Sequence, residues 1–450
     1  MTIRPRPLDV RALARRIADD AVYRGSTLLL INTALLAAFG FVFWAVAARI
    51  YSAGDVGAFS GVTAGVGLLG ALGALGLPNT LMRHLSSADG ARQLAAAAIG
   101  AAMTAGAALC LVILLVLGSR LPGDLDLERT DHRLLVAGLA MIAAVSAVVD
   151  AGLIAMRATR AVLVKNLAGS VAKLAALVAL ASVGVFGMVG LAVAYGVGAG
   201  LAAGMGAVAL GRRVGRGRET ASPIRVLRRY LSFSGSSYIG TVIGILPATV
   251  VPLMVLAIRG PEETAYFAVA FMLASFLNFV PSTTAQVLMA EASRGDQPLR
   301  TVTGKALRHV YSLLVPVVLL LVLAAPLVLR LFGDAYARGA SSCLQLLALG
   351  ALATGCTYLI DAILAARDRM RAYILMNAAN AAAVLVLVGL LLPYGLTAAA
   401  AGWALAQTAS VLVGLVVLRA SGVWRSRAAR PSGATAAVAA AEAETHMAGR

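Results

Sequence analysis

The chain has 450 residues, of which 60% are hydrophobic and only 13% carry a charged side chain. Soluble domains carry about 25% charged residues, so this composition excludes an ordinary soluble globular protein. The formal net charge of +18 raises the question of a nucleic-acid partner. The basic residues fall on alternate loops and are not interleaved with aromatic residues, so no nucleic-acid partner is expected.

Apolar runs of about twenty residues recur along the chain, each long enough to cross a hydrocarbon core about 30 Å thick. We predict twelve transmembrane helices, separated by charged breaks. They cover residues 26–48, 56–82, 94–118, 134–155, 161–184, 187–210, 235–258, 265–290, 310–330, 341–364, 373–393 and 396–418. The sequence therefore predicts an all-α polytopic membrane protein.

The distribution of Lys and Arg predicts the orientation of these spans. Thirty basic residues lie in the two termini and the loops on their side, seven lie on the other side, and Lys173 falls inside a span. By the positive-inside rule, both termini are cytoplasmic, in a cytoplasmic (inner) membrane. Residues 1–25 lack the apolar core of a signal peptide and are expected to form an interfacial helix or a disordered segment. Residues 419–450 are expected to form a disordered cytoplasmic tail.

A repeated stretch indicates how the spans are grouped. DAGLIAMRATRAVLVKN begins at Asp150 and DAILAARDRMRAYILMN begins at Asp361, and seven of the seventeen positions are identical. Six predicted spans separate the copies, so both have the same orientation. This predicts two parallel six-helix lobes around a central cavity, residues 26–210 and 235–418, joined by a basic cytoplasmic linker at 211–234.

Ionisable residues inside spans are costly and are therefore candidates for function. Lys173 is predicted either to face a cavity or to be paired or extended toward the interface, and its repeat partner is Val384. Asp150, Asp361 and Glu291 are candidates for binding a coupling ion. The alternative for the two aspartates is pairing with Arg157, Arg160 or Arg371.

Candidate substrate-binding residues also lie at the ends of spans and on apolar helices. Arg24, Arg49, Arg83 and Arg259 lie at helix mouths, where they would contact lipid headgroups or form a ring that holds a phosphate group. Amide side chains in the spans would bind sugar hydroxyls or join neighbouring helices. These amides are Asn32, Gln286, Gln345, Asn377, Asn380 and Gln407.

An enzyme would need catalytic or metal-binding side chains outside the spans. The longest predicted outer loop holds Asp124, Asp126, Glu128 and Asp131, which would suit a metal-dependent transferase. The loop is short and its arginines balance the acids, so a solvated loop explains it better. Cys110, Cys343 and Cys356 lie in apolar stretches, and the histidines lack metal-ligand spacing. We therefore expect a transporter with no catalytic residues, metal or cofactor.

The stretch ARIYSAGDVGAFSGVTAGVGLLGALGALGLPNTLMRHLS carries a resemblance to a known family. An arginine closes the first span, an Asp-x-Gly-x-Phe motif opens the second, and Leu-Gly-Leu with a following arginine closes that span. The residues that supply this pattern are Arg49, Asp55, Gly57, Phe59, Leu75, Gly76, Leu77 and Arg83. The pattern resembles the oligosaccharide and polysaccharide flippases of the multidrug/oligosaccharidyl-lipid/polysaccharide (MOP) exporter superfamily. By contrast, RHLSSADGARQ matches poorly the motif that major facilitator carriers have between spans 2 and 3.

The resemblance implies a flippase that moves a lipid-linked oligosaccharide or polysaccharide precursor, of the O-antigen type, across the membrane by alternating access. It implies a polyprenyl-pyrophosphate-linked glycan as substrate, membrane lipids as surroundings, and glycosyltransferases or a polymerase as pathway partners. Two alternatives stay open within the superfamily. One is a drug/cation antiporter, although the first two spans contain no buried acid. The other is a lipid II flippase, although the extra helices and several cavity arginines of that group are not evident.

The predicted orientation can be tested by thiol labelling. We expect cysteines introduced at Ser222 or Ser426, in a chain without its native cysteines, to be protected from a membrane-impermeant thiol reagent in intact cells. A cysteine at Gly123 should be labelled. Labelling at position 222 in intact cells would reverse the orientation.

Overall fold

The computed structural model describes residues 21–87, 90–117, 129–214, 231–294, 297–367 and 369–421. Within these ranges the chain is almost entirely helical and contains no β-strand. The predicted interfacial helix, most of the basic linker, most of the acidic outer loop and nearly all of the C-terminal tail lie outside the described residues.

The helices follow one another with short connections. They are α1 (Ala21–Ile50), α2 (Ala53–Gly73), α3 (Leu77–His84), α4 (Ala91–Leu117), α5 (Thr130–Ala155), α6 (Thr159–Ser182), α7 (Gly187–Arg213), α8 (Leu231–Arg259), α9 (Pro261–Ser275), α10 (Phe279–Arg294), α11 (Leu299–Leu329), α12 (Asp334–Ala366), α13 (Met370–Leu391) and α14 (Leu396–Ala420). In the described part of the chain, twelve segments are long and apolar enough to cross a membrane, which confirms the predicted number of spans.

The second and eighth spans are interrupted, whereas the sequence predicted continuous helices at 56–82 and 265–290. In the second span, Leu75 (φ 52°) and Gly76 (φ 68°) have left-handed backbone conformations that separate α2 from α3. A left-handed pair cannot continue a right-handed helix. In the eighth span, a 3₁₀ turn at Phe276–Asn278 separates α9 from α10, just before Pro281. Proline lacks an N–H donor, which weakens the helical ladder there.

The largest error in a predicted boundary is at α11, which begins at Leu299 rather than at residue 310. Counting apolar runs missed the first three turns because these turns are amphipathic. Leu299, Thr303, Ala306 and Val310 are buried, while the residues between them include exposed basic side chains. Helical spacing at i, i+4, i+7 and i+11 places the buried residues on one face.

The helices form two lobes, α1–α7 and α8–α14, that pack mainly within themselves. The lobes meet where α2 packs against α8 and α9. This contact depends on glycines in α2, because a Cβ at Gly57 would overlap the backbone of Pro261 and Ala265, and one at Gly61 would overlap Leu256. The glycines at these two positions therefore serve close packing between the helices.

The junction between the lobes is asymmetric. The repeat relates the pair α2 and α8 to the pair formed by the eighth span and α1. Within the described residues, α2 packs closely on α8, but α1 makes no comparable contact with α9 or α10. Near its end, α1 reaches the other lobe through two contacts: the Phe41 ring lies 5.3 Å from the Phe332 ring, and the Arg49 guanidinium donates to the carbonyls of Arg330 and Leu331.

We expect Gly57→Ala to destabilise the closed contact between the lobes, because the added methyl group meets backbone atoms that cannot move independently. Overpacking of this kind costs about 1–3 kcal/mol. The matched control is Gly65→Ala, whose new methyl group would lie 3.7 Å from the Leu253 side chain. Thermal unfolding of the purified protein should show a lower melting temperature for Gly57→Ala and an unchanged or higher one for Gly65→Ala. Equal melting temperatures would contradict this account of the contact.

Candidate functional site

A chain of polar side chains crosses the first lobe within its spans. The ammonium group of Lys165 on α6 lies 2.7 Å from a carboxylate oxygen of Asp150 on α5, and it also donates to the Asn166 side chain at 2.7 Å. Asn166 donates to the side chain of Asn32 on α1 at 3.0 Å. Lys165 is only 2% exposed. A buried charge needs such partners, because an unpaired ion in an apolar medium is very costly.

Small residues on α7 make room for the buried lysine. A Cβ at Gly206 would lie 2.7 Å from Cδ of Lys165, and a Cβ at Gly198 would lie 2.6 Å from Cβ of Lys173. Helices α6 and α7 can approach closely because small residues face each other at their contact, as at Gly169 and Gly198. The glycines of α7 thus allow two lysines of α6 to lie inside the lobe.

Lys173 lies eight residues beyond Lys165, about 12 Å further along the helix axis. Its ammonium group lies 4.7 Å from the centre of the Phe43 ring and 5.4 Å from the centre of the Tyr195 ring. These distances are those of cation–π contacts, which attract a cation without neutralising it. Among the described residues, no carboxylate lies within ion-pair distance of Lys173.

Both lysines line a cavity of about 180 Å³ between α1, α5, α6 and α7. Two ammonium groups and one carboxylate give the lining a positive formal charge. Hydroxyl and amide groups from Ser146, Ser170, Tyr195 and Asn166 supply further hydrogen-bonding atoms. The remaining lining residues are Leu36, Gly169, Gly198, Ala199 and Ala202. Chemically, the site is suited to an anion with attached hydroxyl groups.

The second lobe keeps part of this arrangement. Asn377 on α13 donates to a carboxylate oxygen of Asp361 on α12 at 3.1 Å and to the carbonyl of Tyr373 at 3.0 Å. The repeat partner of Lys165 is Met376, and the partner of Lys173 is the fully buried Val384. The aspartate is thus present in both lobes, but its lysine partner is present in only one.

The observed partners of the two aspartates differ from the predicted alternatives. The sequence offered Arg157, Arg160 or Arg371, whereas the structure pairs Asp150 with Lys165 and places Asn377 against Asp361. The thirty basic residues assigned above to the termini and their loops include Lys165, and this assignment is wrong because α6 begins at Thr159 and places the lysine nearly two turns inside the helix. Two features of the sequence could have revealed the burial of Lys165. It lies within the predicted span 161–184, and its counterpart in the second copy of the repeat is an apolar residue, Met376.

The four predicted arginines do not form one ring. Arg24 and Arg49 lie on the same helix and are separated by 25 residues, about 37 Å along its axis. Arg83 is exposed at the end of α3, at the same end of the lobe as Arg24. At the other end, Arg49 binds carbonyl groups of the second lobe, and Arg259 pairs with Glu263 at 2.6 Å.

The remaining candidates are dispersed. Asn32 belongs to the polar chain of the first lobe, whereas Gln286 is exposed on α10, and Glu291 lies near the end of that helix. Other amides join helices: Gln345 donates to the carbonyl of Val322, and Asn380 accepts from Ser410. Gln407 is buried at 3% exposure. Within the described ranges, no three His, Cys, Asp or Glu side chains converge as a metal site would require.

Comparisons with known proteins agree with this architecture. A family described as "Polysaccharide biosynthesis protein" matches residues 22–289. No curated protein sequence matches the chain. An inward-facing multidrug resistance MATE family transporter of the MOP superfamily is similar in structure, with a TM-score of 0.69, 19% identity, and coverage of 86% of this chain and 96% of that chain.

Two further solved structures share the fold. The lipid II flippase MurJ in an inward closed conformation is similar with a TM-score of 0.70 and 14% identity, covering 87% of each chain. A MOP superfamily transporter from Pyrococcus furiosus, described as having a binding pocket of reversed polarity, is similar with a TM-score of 0.55 and 17% identity, covering 90% of this chain and 96% of that chain. Together with the family match over more than half of the sequence, the twelve-span fold establishes that the chain belongs to the polysaccharide biosynthesis protein family and has the architecture of MOP superfamily transporters.

Proposed function

We propose that this protein is a flippase that moves a lipid-linked oligosaccharide or polysaccharide precursor across the cytoplasmic membrane by alternating access. The observation that carries the proposal is the positively charged cavity of the first lobe, in which the Lys173 ammonium contacts two aromatic rings and, among the described residues, has no carboxylate within ion-pair distance. A pyrophosphate group would supply the missing negative charge, and the neighbouring hydroxyl and amide groups suit a sugar. The family description, which refers to polysaccharide biosynthesis, supports the same class of substrate.

A lipid-linked substrate also needs a lateral route between membrane and protein. The seam between α1 and the eighth span provides a candidate, because within the described residues α1 packs mainly on α6 and reaches the second lobe only near its end. Ile31, Leu36 and Val42 on α1 are more than 40% exposed. An apolar chain could remain in the bilayer at this seam while its headgroup entered between the lobes.

The chemistry of the first-lobe cavity supports an anionic rather than a cationic substrate at that site. A cation substrate or coupling ion needs a carboxylate that is free to bind it. In the first lobe, the carboxylate of Asp150 already pairs with the buried Lys165 ammonium and is therefore not free to bind a cation. The lipid II flippase alternative shares the pyrophosphate chemistry of the proposed substrate, so it remains the second candidate.

Asp361 is the better candidate for coupling transport to an ion gradient. It lies inside α12 with an amide donor from Asn377 at 3.1 Å. Among the described residues, no basic side chain lies within ion-pair distance of its carboxylate. We propose that this group takes up and releases a proton during the transport cycle, while Asp150 stays paired.

The proposed topology, pathway partners and transport movement follow from the proposed substrate. Both termini would be cytoplasmic, and the substrate would enter from the inner leaflet. Glycosyltransferases that build the glycan and a polymerase that uses it are the proposed pathway partners. Alternating access would involve movement of the lobes about the contact between α2 and the helices α8 and α9, and the interruptions in the second and eighth spans are the natural hinge points.

Substitution of Lys173 tests the substrate site. We expect Lys173→Arg to retain part of the activity because it keeps the charge, although the guanidinium is larger and planar. Lys173→Met should reduce surface glycan by about tenfold or more, which corresponds to roughly 1.4 kcal/mol, and Lys173→Glu should abolish it. The measurement is surface glycan in a flippase-deficient host, normalised to the amount of protein in the membrane.

The matched control is Arg92→Met, which removes an exposed basic residue of α4 outside the cavity and should leave glycan export unchanged. All variants should still insert, since one intramembrane charge costs only about 2.5–3.5 kcal/mol on insertion scales. Full activity of Lys173→Met at normal protein levels would remove Lys173 from the site.

A second set of variants separates the two aspartates. Asp361→Asn should abolish transport driven by a proton gradient in proteoliposomes, because the amide cannot exchange a proton. Asp150→Asn alone should destabilise the protein by about 3–5 kcal/mol, since it leaves the buried Lys165 unpaired.

The double variant Asp150→Asn/Lys165→Met removes both charges of the pair and should restore folding and proton-driven transport. This outcome would identify the first-lobe pair as structural and Asp361 as the coupling group. Proton-driven transport by folded Asp361→Asn at the rate of the unmodified protein would reject that assignment.

A further inference from the structure

Helix α11 carries a polar stripe on its first four turns. The exposed residues of this stripe are Arg300, Thr301, Lys305, Arg308, His309 and Ser312, and successive residues or adjacent pairs are three or four positions apart. This spacing places them on one face of the helix. Together with Gly304, they line a surface concavity of about 520 Å³.

The opposite face of these turns packs against the protein. Leu299, Thr303, Ala306 and Val310 are buried there, three of them in the core of the second lobe. The basic side chains therefore point away from the lobe core. The stripe belongs to the outer surface and is separate from the first-lobe cavity.

Gly304 has no side chain and therefore leaves a notch in the middle of the stripe. A Cβ at this position would meet no other atom within 4 Å, so the helix surface there is bare. Lys305 donates to the Gln297 side chain at 3.0 Å. Among the described residues, no carboxylate lies within ion-pair distance of Arg300, Lys305 or Arg308. Three cations thus surround an open notch without a protein counter-charge in the described chain.

The same face of α11 becomes apolar in the turns that follow the basic residues. Leu319, Leu320, Leu323 and Leu327 are 54%, 67%, 82% and 67% exposed, respectively. They continue the stripe along the helix at helical spacing. One face of α11 is therefore cationic over about four turns and apolar over the following turns, which matches the two halves of an anionic lipid.

The corresponding helix of the first lobe lacks this feature. α4 begins at Ala91 and α11 at Leu299, an offset of 208, which is also the offset between Phe59 and Phe267. At this offset, Arg92 corresponds to Arg300, but the partners of the other basic residues are small. These pairs are Ala97/Lys305, Gly100/Arg308 and Ala101/His309. Insertion and orientation of this span therefore do not require the additional cations.

We propose that the α11 stripe is a binding site for an anionic phospholipid of the bilayer. The phosphodiester group would lie in the notch at Gly304, held by Arg300, Lys305 and Arg308, with the Thr301 hydroxyl as a further hydrogen-bond donor. The acyl chains would lie along Leu320, Leu323 and Leu327. A diffuse interfacial charge would attract any anion, whereas this arrangement fixes one headgroup beside an apolar track. The proposal is independent of the transported substrate.

The test compares lipid binding by the purified full-length protein. The site variant is Arg300→Gln/Lys305→Gln/Arg308→Gln, and the matched control, Arg212→Gln/Arg213→Gln/Arg371→Gln, removes three basic residues at span ends elsewhere. Native mass spectrometry with phosphatidylglycerol should show tight binding by the unmodified protein and the control. Binding to the site variant should be weaker by about tenfold or more, because each basic residue near an anionic surface contributes roughly fivefold. Phosphatidylcholine, with no net charge, should bind equally weakly to all three proteins.

Other outcomes overturn the proposal. Equal loss of phosphatidylglycerol binding in the site variant and the control would mean that binding reflects overall charge. Displacement of phosphatidylglycerol by inorganic phosphate at millimolar concentration would mean that the notch binds free anions and that the apolar track plays no part. Much tighter binding of a polyprenyl phosphate than of phosphatidylglycerol would make the occupant a substrate-type lipid.

If the site variant unfolds, Leu320→Gln/Leu323→Gln/Leu327→Gln tests the acyl track, and unchanged phosphatidylglycerol binding would reject it.

Discussion

The buried ion pair between Lys165 and Asp150 is the constraint on which the first lobe depends. An ammonium group that is 2% exposed can persist in the membrane only if its charge and its donors are satisfied, here by Asp150 and Asn166. Those partners join α5, α6 and α1, and Gly206 on α7 leaves space for the lysine stem. The pair therefore fixes four helices around the cavity and, at the same time, removes Asp150 from the groups that can exchange an ion.

This internal neutralisation changes what the lobe can bind. With Asp150 occupied, Lys173 gives the cavity its net charge, and its aromatic neighbours Phe43 and Tyr195 leave that charge available. A lobe with an unpaired acid would attract cations, whereas this one attracts anions. The polarity of the site thus depends on two lysines: Lys165 neutralises Asp150, and Lys173 supplies the remaining positive charge.

Much of the fold could be predicted from the sequence because the bilayer imposes length and polarity on each span. The number of spans, the two lobes and the position of Lys173 within a span follow from apolar runs and the repeat. The breaks at Leu75 and Phe276 could not be predicted, because they depend on backbone conformations within apolar segments. The role of Lys165 was missed since its burial depends on three other helices, and the start of α11 was missed since its first turns are polar on one side only.

The two lobes share one architecture but differ in helix packing and in the placement of their charged residues. An ideal twofold repeat would offer two equal seams to the bilayer and two equal sites, and a carrier of that kind would have no preferred path for an asymmetric substrate. Here α2 packs on α8, while the equivalent seam beside α1 stays open in the described chain. The two cavity lysines, Lys165 and Lys173, belong to the first lobe, and Asp361, which has no basic partner among the described residues, belongs to the second. In the proposed transport cycle, separating the anion site from the ion-exchanging group would allow binding at one to bias movement that is driven through the other.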